Sequence, residues 1–357
     1  MEVENKLILV STFRHYFMSV GLAFNDPNSN YHLVFIDQAL PAKSNSVYLA
    51  ACELGYPFHS VSYLPSKAEG ESKSKVRSLG FNQLQNILSD ILPVEIITGN
   101  DRRVEFQYSM NFMREGLGAS VQGSFLDDGT GSYISFQNSK LIRYLSDKYL
   151  DTPLKKLVYG KWYCRPEVFG ASKWVDNCYL AHPEVASAPL KKKKLFELKQ
   201  DYYRSEIAFE YFKNLSKCLN AADVTANLKD SVLFVLPHSS IIKEVYGSFD
   251  ALGLLLSKLA QKYPNVFFKY HPREQGDPLN LSVLGQALTS AIPAELYYVT
   301  NSFDLIIGDV STALMAAKWL HPDSDVRYFK TASQQAELVT GLFQYLNIAP
   351  LTMEEII

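Results

Sequence analysis

The stretch FDLIIGDVSTALMAAKWL, residues 303–320, indicates the fold class of this chain. A short apolar run ends at Gly308, and a segment that we interpret as a helix follows at Ala313–Leu320. A strand, a glycine turn and a helix in this order are typical of a parallel sheet covered by helices. Two hydroxyl residues, Ser311 and Thr312, fall where the helix begins.

The same alternation of strands and helices appears on both sides of a polar break in the middle of the chain. Before the break, the predicted strands are Lys6–Val10, His32–Ile36, Val94–Thr98 and Tyr133–Phe136. After it, they are Ser231–Leu236, Asn265–Tyr270, Asp304–Gly308 and Asp325–Phe329. We therefore predict an α/β fold with two parallel sheets that face each other across a cleft. Ligands of such sheets bind outside the carboxyl ends of the strands.

The position of the break predicts the domain boundaries. A first α/β domain is expected over residues 1–190, and a linker with a connecting helix over 191–229. A second α/β domain is expected over 230–330. A helical segment is expected over 331–357, and we expect it to pack back on the first domain. The run Lys191–Lys194 is interpreted as a solvated linker or helix start, with contact to the inner membrane surface as the alternative.

Composition excludes several classes of protein. Among 357 residues, 35 Lys and Arg stand against 37 Asp and Glu, so a nucleic-acid partner is not expected. The chain begins with Met-Glu-Val-Glu, and its first apolar stretch, Leu7–Val10, is too short for a signal peptide. No apolar run reaches the roughly 20 residues of a membrane span. We therefore expect a cytoplasmic protein.

An acidic turn follows the apolar residues Phe125 and Leu126. Asp127 and Asp128 precede Gly129 in a tight turn that presents a carboxylate at the edge of a sheet. A carboxylate that is partly desolvated has a raised pKa and serves as a general base. An ordinary acidic turn stopped by glycines is the alternative interpretation.

Two further strand ends carry residues suited to an anion. His271 ends an aromatic strand, and Pro272 biases its backbone towards an extended form, so its imidazole could donate to a phosphate. Ser311 and Thr312 stand at a helix start, where backbone amides favour an anion. A structural histidine and a plain helix cap are the alternatives. No GxGxxG or Walker motif supports a dinucleotide or ATP.

The triplet Asp323-Ser324-Asp325 has the D-x-D pattern that holds a metal in some sugar-nucleotide enzymes. It follows a predicted helix and precedes a predicted strand, which places it away from the carboxyl ends of the strands. We interpret it as a surface turn, and no metal site or other cofactor is expected.

In their order, these residues resemble the motifs of bacterial sialyltransferases of the GT-B type. Asp127-Asp128-Gly129, with Gly131-Ser132-Tyr133 after it, looks like their acidic D/E-D/E-G motif. His271-Pro272 resembles their HP motif, and Ser311-Thr312 resembles their paired-hydroxyl motif, with threonine as a departure at the second position. Ile292-Pro293-Ala294-Glu295 resembles the segment whose glutamate binds the ribose of the cytidine nucleotide. The resemblance extends over about residues 95–315.

This resemblance implies two Rossmann-like domains, with the acceptor on the N-terminal side and the nucleotide on the C-terminal side. It points to the lipooligosaccharide sialyltransferases and the capsular polysialyltransferases. The implied activity is transfer of sialic acid, or a related nonulosonic acid, from its CMP donor to a hydroxyl of a surface glycan such as lipooligosaccharide, O-antigen or capsule. The implied reaction inverts the anomeric centre without a metal.

Roles for single residues follow from the same resemblance. Asp127 would take the proton of the acceptor hydroxyl, and Asp128 and Gly129 would orient the loop, although the sequence leaves open which aspartate is the base. His271 would donate to the departing phosphate. The remaining contacts to CMP would come from Pro272, Glu295, Ser311 and Thr312.

Two other functions stay open at this point. The chain could be a transferase of the same architecture that uses a UDP- or GDP-sugar. It could also be a catalytically silent scaffold that binds nucleotide or carbohydrate. Protection from thermal unfolding by CMP, and not by UDP or GDP, would distinguish a sialyltransferase from the first alternative. Hydrolysis of the donor would distinguish an active enzyme from the second.

Overall fold

The computed structural model describes residues 3–64, 72–134, 151–221, 229–329, 334–352 and 355. The chain divides into two compact units, Met1–Tyr202 and Tyr203–Ile357. Each unit is built around one parallel sheet with helices along its faces.

The first unit contains a seven-stranded sheet in the order β3-β2-β1-β4-β5-β6-β7, and all its strand pairs are parallel. Its strands are β1 Glu4–Val10, β2 Ser29–Phe35, β3 Phe58–Tyr63, β4 Glu95–Thr98, β5 Gln122–Leu126, β6 Asn177–Leu180 and β7 Lys194–Glu197. The central strands are buried on both faces, which explains their continuous apolar sequence.

In the described residues, these strands are connected or flanked by α1 Phe13–Asn25, α2 Ser46–Leu54, α3 Lys73–Ile91, α4 Val104–Asn111, α5 Thr130–Tyr133, α6 Thr152–Tyr159 and α7 Asp201–Arg204, the last of which crosses into the second unit. A π-helical turn, Phe112–Gly116, continues α4. α1 begins where the Thr12 hydroxyl accepts the backbone N–H of His15, a side-chain cap that stabilises a helix start.

The second unit contains a six-stranded parallel sheet in the order β10-β9-β8-β11-β12-β13. Its strands are β8 Ser231–Val235, β9 Asn265–Lys269, β10 Gln286–Leu288, β11 Leu305–Gly308, β12 Asp325–Phe329 and β13 Ala349–Leu351. Its further helices are α8 Glu206–Cys218, α9 Ser239–Tyr246, α10 Phe249–Lys262, α11 Ala294–Thr300, α12 Thr312–Leu320 and α13 Gln334–Tyr345.

In both sheets the strand order reverses beside the first strand. In the first unit the reversal lies between β1 and β4, and in the second unit it lies between β8 and β11. Such switch points open a crevice at the carboxyl ends of the strands, where ligands of α/β sheets bind. The residues that follow β1, β4, β8 and β11 are therefore the first candidates for a ligand-binding site.

Most of the predicted strands are confirmed, with shifts of one to three residues at their ends; Asp325–Phe329 matches β12 at both ends. The predicted strand Tyr133–Phe136 is wrong at its start, because Tyr133 ends the short helix α5; residues 135 and 136 lie outside the described ranges. Gly129, at φ 78°, reverses the chain after β5, and a helical turn follows it directly.

The predicted domain boundaries also need correction. In the described residues of the predicted linker, β7 pairs with β6 in the first sheet and α8 packs on α11 in the second unit, so these residues belong to the two units. In the described residues of the segment 331–357, β13 pairs with β12 in the sheet of the second unit. Within the described ranges, no helix has the combined length and hydropathy of a membrane span.

The close approach of β5 to a neighbouring loop gives a test of the first unit. A methyl group on Gly123 would overlap with the carbonyl oxygen of Trp174 and press on Met110. We expect Gly123→Ala to lower the free energy of unfolding by about 1–3 kcal/mol, as overpacked cores do. Gly80→Ala is the matched control, because Gly80 lies inside α3 with only an ordinary contact to Leu64. It should be neutral or stabilising by up to about 1 kcal/mol. Denaturant unfolding of both variants measures this, and equal stabilities would contradict it.

Candidate active site

The two carboxylates that follow β5 have different surroundings. Asp127 is fully buried, and its Oδ1 accepts Arg14 Nη2 at 2.8 Å and the backbone N–H of Gly129 at 2.7 Å. Its Oδ2 accepts the Tyr133 hydroxyl and the backbone N–H of Ala181 at 3.0 Å. Four donors therefore hold this carboxylate within the fold.

These partners determine the charge of Asp127. Burial alone would raise the pKa of its carboxyl, but the Arg14 guanidinium and the hydrogen bonds outweigh burial and hold the pKa below its usual value. Burial and the same carboxylate raise the pKa of the Tyr133 hydroxyl far above its usual value. Asp127 is thus ionised, paired and out of reach of solvent, which does not fit the role of a proton acceptor for an external hydroxyl.

Asp128 is the accessible carboxylate of the pair. Its side chain is 23% exposed, and its Oδ1 lies 2.8 Å from Nε2 of His15. Its backbone N–H donates to the Ser132 hydroxyl at 3.0 Å, which fixes the loop below it. Among the described residues, His15 is the one side chain that bonds to this carboxylate.

In the second unit, three neighbouring strands end in register. Lys269, the last residue of β9, is aligned with Val235 of β8, which is aligned with Gly308 of β11. The segments that leave these ends carry His238, His271 and Ser311. The predicted donor-site residues at 271 and 311 therefore belong to strand ends on either side of β8.

Two histidines meet at this edge. The His238 and His271 rings lie 5.3 Å apart between centroids and are perpendicular. His271 Nδ1 accepts the backbone N–H of Arg273 at 3.2 Å, so a neutral His271 ring carries its hydrogen on Nε2. Burial, with His238 as a second cause, lowers the pKa of His271. Pro272 is exposed in the turn that follows.

Ser311 stands at the N-cap of α12, but its hydroxyl makes no capping hydrogen bond. The alternative of a plain capping serine is therefore not what the structure contains. Thr312 is the first residue of the helix. Beside them, burial raises the pKa of Asp309 to about 6, so this carboxyl is partly neutral near pH 6 and repels an anion less than an ionised one would.

Glu295 lies in the first turn of α11 and is 8% exposed. Burial lowers the pKa of Lys269 and the nearby charge of Glu295 raises it. Burial is the larger effect, and the pKa of this lysine is lowered to about 8. Lys269 donates through Nζ to the carbonyl oxygens of Tyr270 and of Ser290, the latter at 3.0 Å. Glu295 is thus joined electrostatically to the end of β9, the strand that leads to His271.

The structure places the predicted residues in two groups, one in each unit. Sequence reasoning missed four functional candidates: Arg14 and His15 in the first turn of α1, His238 in the segment after β8, and Asp309 directly after β11. His238, in the segment Pro-His-Ser-Ser after β8, carries the same signal as His271 and could have been found by it.

Two negative findings concern metals. Asp325 begins β12 and pairs with Arg327 at 2.9 Å, at the end of the sheet opposite to Ser311. This agrees with the interpretation of the D-x-D triplet as a surface turn. Within the described parts of the chain, no group of three or more His, Cys, Asp or Glu side chains could hold a metal ion. Metal independence stays a prediction.

Comparison with solved structures identifies the fold as that of GT-B glycosyltransferases. UGT2 of Phytolacca americana, solved with UDP-2fluoro-glucose and pterostilbene, is 12% identical with a TM-score of 0.55 over 99% of this chain and 88% of its own. The UDP-GlcNAc 2-epimerase of Methanocaldococcus jannaschii is 11% identical with a TM-score of 0.56 over 99% and 90% of the two chains. No curated protein matches the sequence significantly.

The chain therefore has the GT-B fold, with two Rossmann-like units. The family model described as alpha-2,8-polysialyltransferase (POLYST) matches residues 67–330, which is most of the chain. The chain belongs to this family. The match covers the acidic turn after β5 as well as the strand ends of the second unit, so the predicted resemblance to sialyltransferases is confirmed at the level of the family.

The buried Asp127 carboxylate gives a prediction about stability. Asp127→Asn leaves Arg14 buried without its counter-charge, and breaking such a pair costs about 3–5 kcal/mol. Because the pKa of Asp127 is lowered in the folded state, its contribution is present above the unfolded pKa of about 3.9 and is lost as pH falls through the folded value. The stability difference from wild type should therefore be largest at neutral pH and shrink below about pH 4.

Denaturant unfolding across pH 3–7 measures this difference. Asp128→Asn is the matched control, because Asp128 is partly exposed and bonds to one side chain. It should unfold within about 1 kcal/mol of wild type. If Asp128→Asn is the more destabilised of the two, the described division of roles is wrong.

Proposed function

We propose that this glycosyltransferase transfers sialic acid, or a related nonulosonic acid, from its CMP donor to a sugar hydroxyl of a surface glycan. The observation that carries the proposal is the polysialyltransferase family match over residues 67–330, together with the acidic turn and the His271 and Ser311 strand ends that fall inside it. The glycan acceptor and the number of residues added are left open within this class.

The proposed step moves one proton and exchanges one bond. The acceptor hydroxyl gives its proton to a carboxylate of the first unit while its oxygen bonds to the anomeric carbon of the donor sugar. The bond between that carbon and the phosphate oxygen of CMP breaks, and its electron pair leaves with the phosphate. Attack opposite the leaving group inverts the anomeric centre.

We propose Asp128 as the base, in place of Asp127, on which the sequence interpretation relied. Asp128 is supported by its partly exposed side chain and its single side-chain partner. Asp127 has no exposed surface and is held by four donors. In this proposal Asp127 and Gly129 shape the loop that carries the base.

The second unit supplies groups for the leaving phosphate. His271 offers Nε2–H to the phosphate oxygen, and Ser311 and Thr312 add hydroxyls at the start of α12, where the helix dipole favours an anion. Donors aimed at developing charge are worth about 3 kcal/mol each. Glu295 is the proposed partner of the ribose, and these protein donors make a metal unnecessary.

Transfer from a UDP-sugar is the competing function. UGT2 was solved with a UDP-sugar analogue, and the epimerase of Methanocaldococcus jannaschii is named for a UDP-sugar, but at 11–12% identity they share only the fold with this chain. The family match favours the CMP donor. Contact of the lysine run with a membrane and a cytoplasmic location stay predictions; Lys193 is already engaged with the carbonyl oxygens of Ser172 and Val175.

Nucleotide selectivity tests the proposed donor. CMP at about 100 times its dissociation constant should stabilise the folded protein by about 2.7 kcal/mol, whereas UDP and GDP at the same concentration should have little effect. Thermal unfolding with each nucleotide measures this. A screen of CMP-activated nonulosonic acids against simple galactosides, with mass detection, then tests transfer. Protection by UDP and not by CMP would reject the proposed donor.

Substitution of the proposed base and phosphate donor separates their roles. Asp128→Asn should reduce kcat at least about 100-fold, the usual value of a general base, with CMP protection unchanged. His271→Ala should reduce kcat and also weaken CMP protection, because it removes a phosphate donor. The two variants are compared by initial rates and by thermal shift. Full turnover in Asp128→Asn would exclude that residue as the base.

A further inference from the structure

The side chain of His15 lies at the switch point of the first sheet. Ser11 and His15 follow β1, and Gly99 follows β4, the two strands between which the strand order reverses. His15 is 1% exposed, although it lies beside the partly exposed Asp128. A buried imidazole bonded to an accessible carboxylate at this position of an α/β sheet calls for a functional explanation.

Hydrogen bonds determine which nitrogen of His15 carries the hydrogen. Nδ1 lies 3.4 Å from the backbone N–H of Ser11 and 3.3 Å from its hydroxyl. The backbone N–H is only a donor, so Nδ1 acts as an acceptor and the neutral ring has its hydrogen on Nε2. His15 therefore donates Nε2–H to Asp128 Oδ1, at 2.8 Å.

The fold makes room for this ring. A methyl group on Gly99 would overlap with the imidazole carbons and with Nε2 of His15. The absence of a side chain at position 99 therefore leaves the space that the ring occupies beside the end of β4. The contacts of Nδ1 with Ser11 and of Nε2 with Asp128 orient the ring in this space.

Anchoring of the acidic loop does not require this contact. The adjacent residue pair, Arg14 with Asp127, already joins α1 to the loop through a buried ion pair at 2.8 Å. The contact of His15 is a second link between the same helix and the same loop. It occupies one oxygen of Asp128 and leaves Oδ2 as the oxygen without a hydrogen bond among the described residues.

We propose that His15 is the positioning residue of the acceptor-activating carboxylate: its Nε2–H holds Oδ1 of Asp128 so that Oδ2 receives the proton of the acceptor hydroxyl. This inference rests on the proposed function, because it assigns the base whose partner His15 is. His15 keeps its own hydrogen throughout, and the proton of the acceptor ends on Asp128.

Two variants of the full chain test this role. His15→Phe keeps a ring of similar shape without nitrogen, and His15→Gln keeps an N–H donor near the position of Nε2. We expect His15→Phe to reduce kcat by about 10- to 100-fold. This is the usual effect, about 10- to 100-fold, of removing a side chain that orients another functional group, as known for metal sites. The KM for the donor should not change. His15→Gln should restore part of kcat, because an N–H donor to Asp128 is present again.

His32→Phe is the matched control. His32 is also buried in the first unit, where it bonds to Ser60 at 2.8 Å, but it lies on β2 and away from the acidic loop. It should leave kcat unchanged. If wild type and Asp128→Asn differ in turnover while His15→Phe retains the wild-type rate, the positioning role is overturned and the proposed function stands. If wild type transfers from no CMP donor, the proposed function fails first and this role with it.

Discussion

The buried carboxylate of Asp127 is the interaction on which the candidate site of the first unit depends. An ionised group without solvent is tolerated only when its charge and its lone pairs are all satisfied. Arg14 from α1, Tyr133 from α5 and the backbone at Gly129 and Ala181 meet this requirement. The result is a junction of four chain segments at the carboxyl ends of the strands, and the position of Asp128 follows from it.

The fold could be predicted from the sequence wherever buried strands are nearly continuous apolar runs, as at Ser231–Val235. The predicted helix Ala313–Leu320 begins one residue earlier, at Thr312, because the first residue of a helix is often polar. β6 was missed because four residues, Asn177–Leu180, give too little pattern.

The candidate site could be predicted only in part. Strand ends showed where polar residues gather, but not which of two adjacent aspartates would be buried. That difference is set by Arg14, which is 113 positions from Asp127 in the sequence. No local pattern contains such a contact. His15 was not predicted as a site residue for a related reason. Its ring occupies space beside Gly99, which follows another strand.

The edge strand β7 has a consequence for how copies of the protein behave together. In the described part of the chain, β7 is the last strand on its side of the sheet and pairs only with β6. The lysines at 191–194 precede and begin this strand, and Lys194 lies 4.8 Å from the centre of the Phe196 ring. Positive charge along an edge strand opposes its pairing with a strand of another molecule, so we expect replacement of these lysines by neutral residues to favour association between copies of the chain.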